Sequence, residues 1–135
     1  MKEHIHKVQY YETDQMQIAH HSNYVRWMEE ARVEFLESIG WGYDRLEQEG
    51  VVSPVTAIDC KYRATSLFAE QIAIQVSLRE CNGVRLILDY TMKKVKDGTL
   101  VFTGTSEHCF INERKKPIRV DREFPEFYAK LQELM

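Results

Sequence analysis

Asp14 is the residue whose type and setting best suit acid–base or nucleophilic chemistry in this chain. It follows a segment of β-forming residues and precedes His20 and His21, which stand just before a long amphipathic pattern. A carboxylate in such a loop can attack an electrophilic carbon or take a proton from water. The first amides of a helix lack intrahelical partners and lie at the positive end of its dipole, so a helix opening near His21 suits a carbonyl oxygen gaining negative charge. If the leading segment is a strand, Tyr10, Glu12 and Asp14 share one face, and the Tyr10 hydroxyl can orient a bound group beside the carboxylate. Each residue also has a plainer reading. An aspartate ahead of a helix commonly closes a turn, and a histidine there commonly caps the helix or faces solvent.

The chemistry requires elements that deliver these groups. His4 to Tyr11 alternates loosely and is rich in β-formers, which predicts a first strand running towards Asp14. From Tyr24 the apolar residues Trp27, Met28, Ala31, Phe35, Leu36 and Ile39 recur at helical spacing, with Ser22 or Asn23 as N-cap and Gly40 as the stop. After an irregular stretch from Trp41 to Val51, strands are predicted over Val55 to Tyr62, Ile72 to Leu78, Val84 to Met92 and Val101 to Ile111. Asn82-Gly83 and Asp97-Gly98 tolerate positive φ and predict tight hairpins, making the last three strands an antiparallel meander. Pro125 opens a short C-terminal helix whose apolar face carries Phe124, Phe127, Tyr128, Leu131 and Leu134. The order gives an α+β fold in which an antiparallel sheet wraps the long central helix, with sheet edges left for another subunit to cover.

Tyr10-Tyr11-Glu12-Thr13-Asp14, followed by His20-His21-Ser22-Asn23-Tyr24-Val25-Arg26-Trp27-Met28-Glu29-Glu30-Ala31-Arg32, resembles the signature of the 4-hydroxybenzoyl-CoA thioesterase family. The resemblance implies a hotdog fold and hydrolysis of an acyl-CoA thioester to free acid and CoA. It places Asp14 beside the thioester carbonyl as nucleophile or general base, His21 near that carbonyl at the helix start, and Tyr10 in the same pocket. It also implies a homodimer or homotetramer with the site near the subunit interface. The family usually has glycine three residues after the aspartate, where this chain has Gln17, a difference that bears on how the loop approaches substrate. Two other functions fit the same signature: a thioesterase acting on acyl carrier protein, and a non-catalytic acyl-CoA binding module.

Asn23 opens the helix and Ser53 precedes a strand in VVSPV, so both are candidate substrate contacts. Ser53 lacks the G-x-S-x-G elbow of a serine nucleophile. CoA carries phosphates, which makes Arg85, beyond the Asn82-Gly83 turn, and Lys115 and Lys116 in the Arg114-Lys115-Lys116 run candidate cations, although each equally suits a solvated turn. His4, His6, His20 and His21 match no metal-ligand spacing, and neither a metal nor another cofactor is expected.

With 135 residues, 44% apolar and 29% charged, the chain reads as one domain spanning 1–135. A net charge of −3 argues against a nucleic-acid partner. Cys60, Cys81 and Cys109 form no C-x-x-C pair, and no apolar run approaches the roughly 18 to 20 residues of a membrane span, so a cytoplasmic protein is expected. Cys60 and Cys81 fall in or near predicted strands, where a buried, inert thiol is the default.

Overall fold

A computed structural model describes residues 3–135. Strand β1 (His4–Lys7) is followed by a 3₁₀ turn (Tyr10–Glu12), the long helix α1 (Ser22–Ser38) and a short helix α2 (Tyr43–Gln48). Then come β2 (Val55–Tyr62), β3 (Gln71–Cys81), β4 (Arg85–Lys94), β5 (Leu100–Cys109), α3 (Val120–Glu123) and α4 (Pro125–Gln132). The strands form one five-stranded antiparallel sheet in the order β1-β3-β4-β5-β2. The α+β architecture and the β3–β4–β5 meander are as the sequence predicts, and β2 occupies the predicted span. Two compact units make up the chain. The first takes residues up to Arg32, Cys60–Val76 and Tyr90–Gly104; the second takes Val33–Asp59, Ser77–Asp89 and Thr105–Met135.

The first strand is shorter than predicted. It pairs with β3 through His4↔Ile74, Ile5↔Ala73, His6↔Ile72 and Lys7↔Gln71, and ends at Lys7. The chain then turns because Glu12 folds back, its carboxylate accepting the Gln9 amide at 2.7 Å. Tyr10, Glu12 and Asp14 therefore do not share the face of a strand. Glu12 is 5% exposed, whereas Tyr10 is 77% exposed and packs edge-on against Phe68 with ring centroids 5.6 Å apart.

Both predicted hairpins form, with Gly83 at φ +89 and Gly98 at φ +76. Gly83 is also required by close approach, because a Cβ there would run into the Asp121 carboxylate. Helix α1 buries Tyr24, Trp27, Met28, Ala31, Phe35 and Leu36, the predicted stripe, and ends where Gly40 adopts φ +84. In the first unit Tyr24 stacks on Phe102 at 5.3 Å and meets Tyr62 edge-on at 5.4 Å, fixing the opening of α1 over β5. In the second unit α4 starts with Pro125 in its first turn and buries Phe127 against Trp41 and Phe110, at 5.1 and 6.1 Å. Cys81 is buried, and that burial raises its thiol pKa, while Cys60 and Cys109 are only partly covered.

Candidate active site

Asp14 sits at the start of a tight turn. Its amide donates to the Ile18 carbonyl at 3.0 Å, its carbonyl accepts the Gln17 amide at 2.8 Å, and an antiparallel bridge joins Thr13 to Ala19. Its Oδ1 accepts the Met16 amide at 2.8 Å. The turn closes only if its last residue adopts positive φ, and Gln17 does so at φ +65. Glycine would be unstrained here, so the departure at this position keeps the backbone path and adds strain. Gln17→Gly should raise stability by about 1 kcal/mol, read as a shift in urea midpoint at unchanged m-value.

The turn leads into α1. Ser22, rather than acting as a cap, is the first helical residue, and its hydroxyl contacts His20 Nδ1 at 2.8 Å. Asn23 does not cap the helix either: its side-chain amide donates to the carbonyls of Glu12 at 2.8 Å and His20 at 3.2 Å. The amides of Ser22, Asn23 and Tyr24 already have acceptors in His20 Nδ1, the His20 carbonyl and the His21 carbonyl, at 3.2, 3.0 and 3.3 Å. The His21 amide finds none among the described residues. Thus, among the described residues, the helix opening offers a free donor at His21, while the three amides that follow it are already occupied.

Beneath this loop lies a buried carboxylate. Glu12 Oε1 accepts His6 Nε2 at 2.8 Å as well as the Gln9 amide, and Oε2 accepts Trp27 Nε1 at 2.8 Å. His6 Nδ1 faces Glu30 Oε1 at 3.2 Å, so both ring nitrogens address carboxylates. Burial alone would raise the Glu12 pKa, but the donors from Gln9, Trp27 and His6 outweigh it and hold it below its usual 4.5. Since the folded value is the lower one, the network's stabilisation is complete above the unfolded value and is lost as pH falls through the folded one. Stability measured by urea unfolding should therefore decline on the acid side below about pH 4, and Glu12→Gln should flatten that decline.

An open cleft of about 1240 Å³ runs along this part of the first unit, bordered by Asp14, Glu12, His6, Asn23, Lys7 and Arg26, among others. Of the predicted site residues, Asp14 and Asn23 border it. His21, at the mouth of α1, is exposed, its ring 4.2 Å from that of His20 and its carbonyl accepting the Tyr62 hydroxyl at 3.3 Å. Tyr10 does not border the cleft, because the 3₁₀ turn carries it to Phe68. Ser53, Arg85, Lys115 and Lys116 all belong to the second unit. The Ser53 carbonyl faces His108 Nδ1 at 3.2 Å, and Arg85 is occupied by Glu80 and Glu107 at 3.5 and 3.8 Å. Lys115 and Lys116 lie in a turn built on Asn112, whose side chain accepts the Lys116 amide at 3.0 Å. The cations that border the Asp14 cleft are instead Lys7 and Arg26. The sequence held one signal for the Glu12 network: a buried tryptophan needs an acceptor for its N–H, and Glu12 was the acid placed to supply it.

Residues 8–133 match the family model described as the thioesterase-like superfamily, and the chain belongs to that superfamily. Its fold is the hotdog fold. Among curated relatives, YneP of Bacillus subtilis strain 168, which carries the name "putative acyl-CoA thioesterase", is 33% identical over 124 residues, 91% of this chain and 89% of its own. Among solved structures, the DHNA-CoA thioesterase of Staphylococcus aureus is similar at a TM-score of 0.92 and 29% identity, covering 98% of this chain and 89% of that one. A hypothetical protein of Thermus thermophilus reaches 0.91 and 32%, covering all of both chains. No helix among the described residues is long and apolar enough to cross a membrane.

Proposed function

We propose that this chain is an acyl-CoA thioesterase in which Asp14 drives hydrolysis. The observation that carries this reading is the presence, within one short loop, of a carboxylate bordering an open cleft and of the His21 amide at the opening of α1, which has no acceptor among the described residues. A thioester is an activated acyl group, so it needs a nucleophile or base and a donor for its oxyanion more than it needs leaving-group assistance. Asp14 fills the first role, attacking the carbonyl or deprotonating water, and the His21 N–H at the positive end of the helix fills the second. Asn23 acts in this scheme by holding the loop through the Glu12 and His20 carbonyls. Lys7 and Arg26 supply the charge that CoA phosphates require.

The signature at residues 10–32 supports the narrower kinship with 4-hydroxybenzoyl-CoA thioesterases. CoA is favoured over acyl carrier protein because the Bacillus subtilis and Staphylococcus aureus relatives carry CoA thioesterase names, and a chain of net charge −3 offers little attraction to an acidic carrier. Parallel assays on one acyl group carried by CoA and by acyl carrier protein test this choice; faster turnover of the carrier form would reverse it. We read residues 1–135 as a single domain, since α1 and all strands but β1 contribute residues to both compact units. A homodimer is supported by β2, an edge strand of eight residues that exposes Val55, Ile58 and Tyr62. A strictly monomeric species in sedimentation would contradict that assembly.

A further inference from the structure

We propose that Glu12 is a positioning residue for the thioesterase reaction, locking the loop that carries Asp14 and His21 into its working geometry. The inference rests on the hydrolytic reading above and extends it to a residue whose carboxylate is already committed to three donors within the protein. Glu12 acts through both its side chain and its backbone. Its carboxylate is pinned by donors from three places: His6 on β1, the Gln9 amide and Trp27 on α1. Its carbonyl in turn accepts the His20 amide at 2.8 Å and the Asn23 side chain at 2.8 Å. The loop from Thr13 to Ala19 leaves from Glu12 and returns to it through His20. One residue thus fixes both ends of the segment holding Asp14, and through His20 and Asn23 it fixes where the His21 amide points.

A merely structural role explains this arrangement poorly. A buried carboxylate forfeits its hydration, and well-packed apolar groups at such a site commonly give equal stability. Three donors from separate elements give directional definition that apolar packing lacks. Trp27 completes the device, since its indole also lies over the His6 ring at 4.7 Å and so holds the donor in place. A misplacement of about 1 Å at a reacting group can cost on the order of a hundredfold in rate, which is the scale on which such a lock would act.

The test is steady-state kinetics of wild type, Glu12→Gln and Trp27→Phe, with hydrogen exchange on the same proteins. Glu12→Gln keeps the shape but turns an NH₂ towards the existing donors, and Trp27→Phe removes the indole N–H together with part of a fully buried ring, so its melting temperature is measured alongside. The expected result is a fall in kcat of roughly 10- to 100-fold for Glu12→Gln and a smaller fall for Trp27→Phe, with KM little changed in both. Exchange should quicken at the amides of Asp14, Gln17, Ala19 and His20 but not at Val52 and Ile111, which bridge each other in the second unit. Unchanged kcat in both variants would overturn the proposal, and so would exchange that quickens equally in both units. Should wild type release no CoA from any thioester, the hydrolytic reading fails separately. The exchange pattern then decides the positioning role: local quickening supports it and an unchanged loop overturns it.

Discussion

Asp14→Asn lowers kcat by roughly two to four orders of magnitude, the range associated with loss of a positioned base or nucleophile. The substitution is informative because the local structure survives it. The carboxamide oxygen of the variant can still accept the Met16 amide, as Asp14 Oδ1 does at 2.8 Å, and the backbone bonds to Ile18 and Gln17 do not involve the side chain. What disappears is the negative charge. KM should move far less than kcat, because the proposed mechanism sets the carboxylate on the reacting carbonyl rather than on CoA. An equal melting temperature in wild type and variant would separate this chemical loss from unfolding.

The second large effect is on stability. Phe102→Ala should cost about 3 to 5 kcal/mol and lower Tm by on the order of 10 °C. Phe102 is fully buried on β5, with Tyr24 stacked on it at 5.3 Å and Tyr62 at 5.5 Å. Truncation opens a cavity beside two aromatic rings that cannot collapse without moving the opening of α1. Tyr24 is further tied there by its hydroxyl, 2.9 Å from that of the buried Ser66. Thermal unfolding by circular dichroism measures the loss, and the helix opening, which carries the His21 amide, should loosen with it.

Much of this architecture was legible in the chain because it is written locally. The 3.6-residue stripe from Tyr24 to Leu36 marks α1, and Asn82-Gly83 and Asp97-Gly98 mark turns whose geometry needs their positive φ. Gly40 and Pro125 mark helix ends by the same local logic. The failures have a common cause, which is contact between residues distant in sequence. Alternation from His4 to Tyr11 suggests a strand, yet Glu12 is drawn inward by Trp27 fifteen positions later and the strand stops at Lys7. With Glu12 turned inward, Tyr10 faces Phe68 and the Glu12 carbonyl takes the Asn23 side chain, which therefore clamps the loop instead of capping the helix. Helices α2 and α3, six and four residues long, are too short for periodicity to reveal. Arg85, Lys115 and Lys116 combine charge with nearby turns, a pattern that solvated hairpins share with phosphate sites.

The proposed site is legible in its candidate groups and obscure in its support. Asp14 and the helix opening follow from the signature, and the structure adds the turn that presents the carboxylate and the His21 amide left without an acceptor beside it among the described residues. The Glu12 network lies outside any short pattern because its members come from β1, the 3₁₀ turn and α1.

The most direct test of the central claim is release of free CoA from short, medium, long and aromatic acyl-CoA thioesters by the wild-type protein, with Asp14→Asn alongside. Multiple-turnover release from at least one acyl class is expected, nearly abolished in the variant. Release that persists undiminished in Asp14→Asn, or binding of acyl-CoA without turnover across the whole panel, would contradict it.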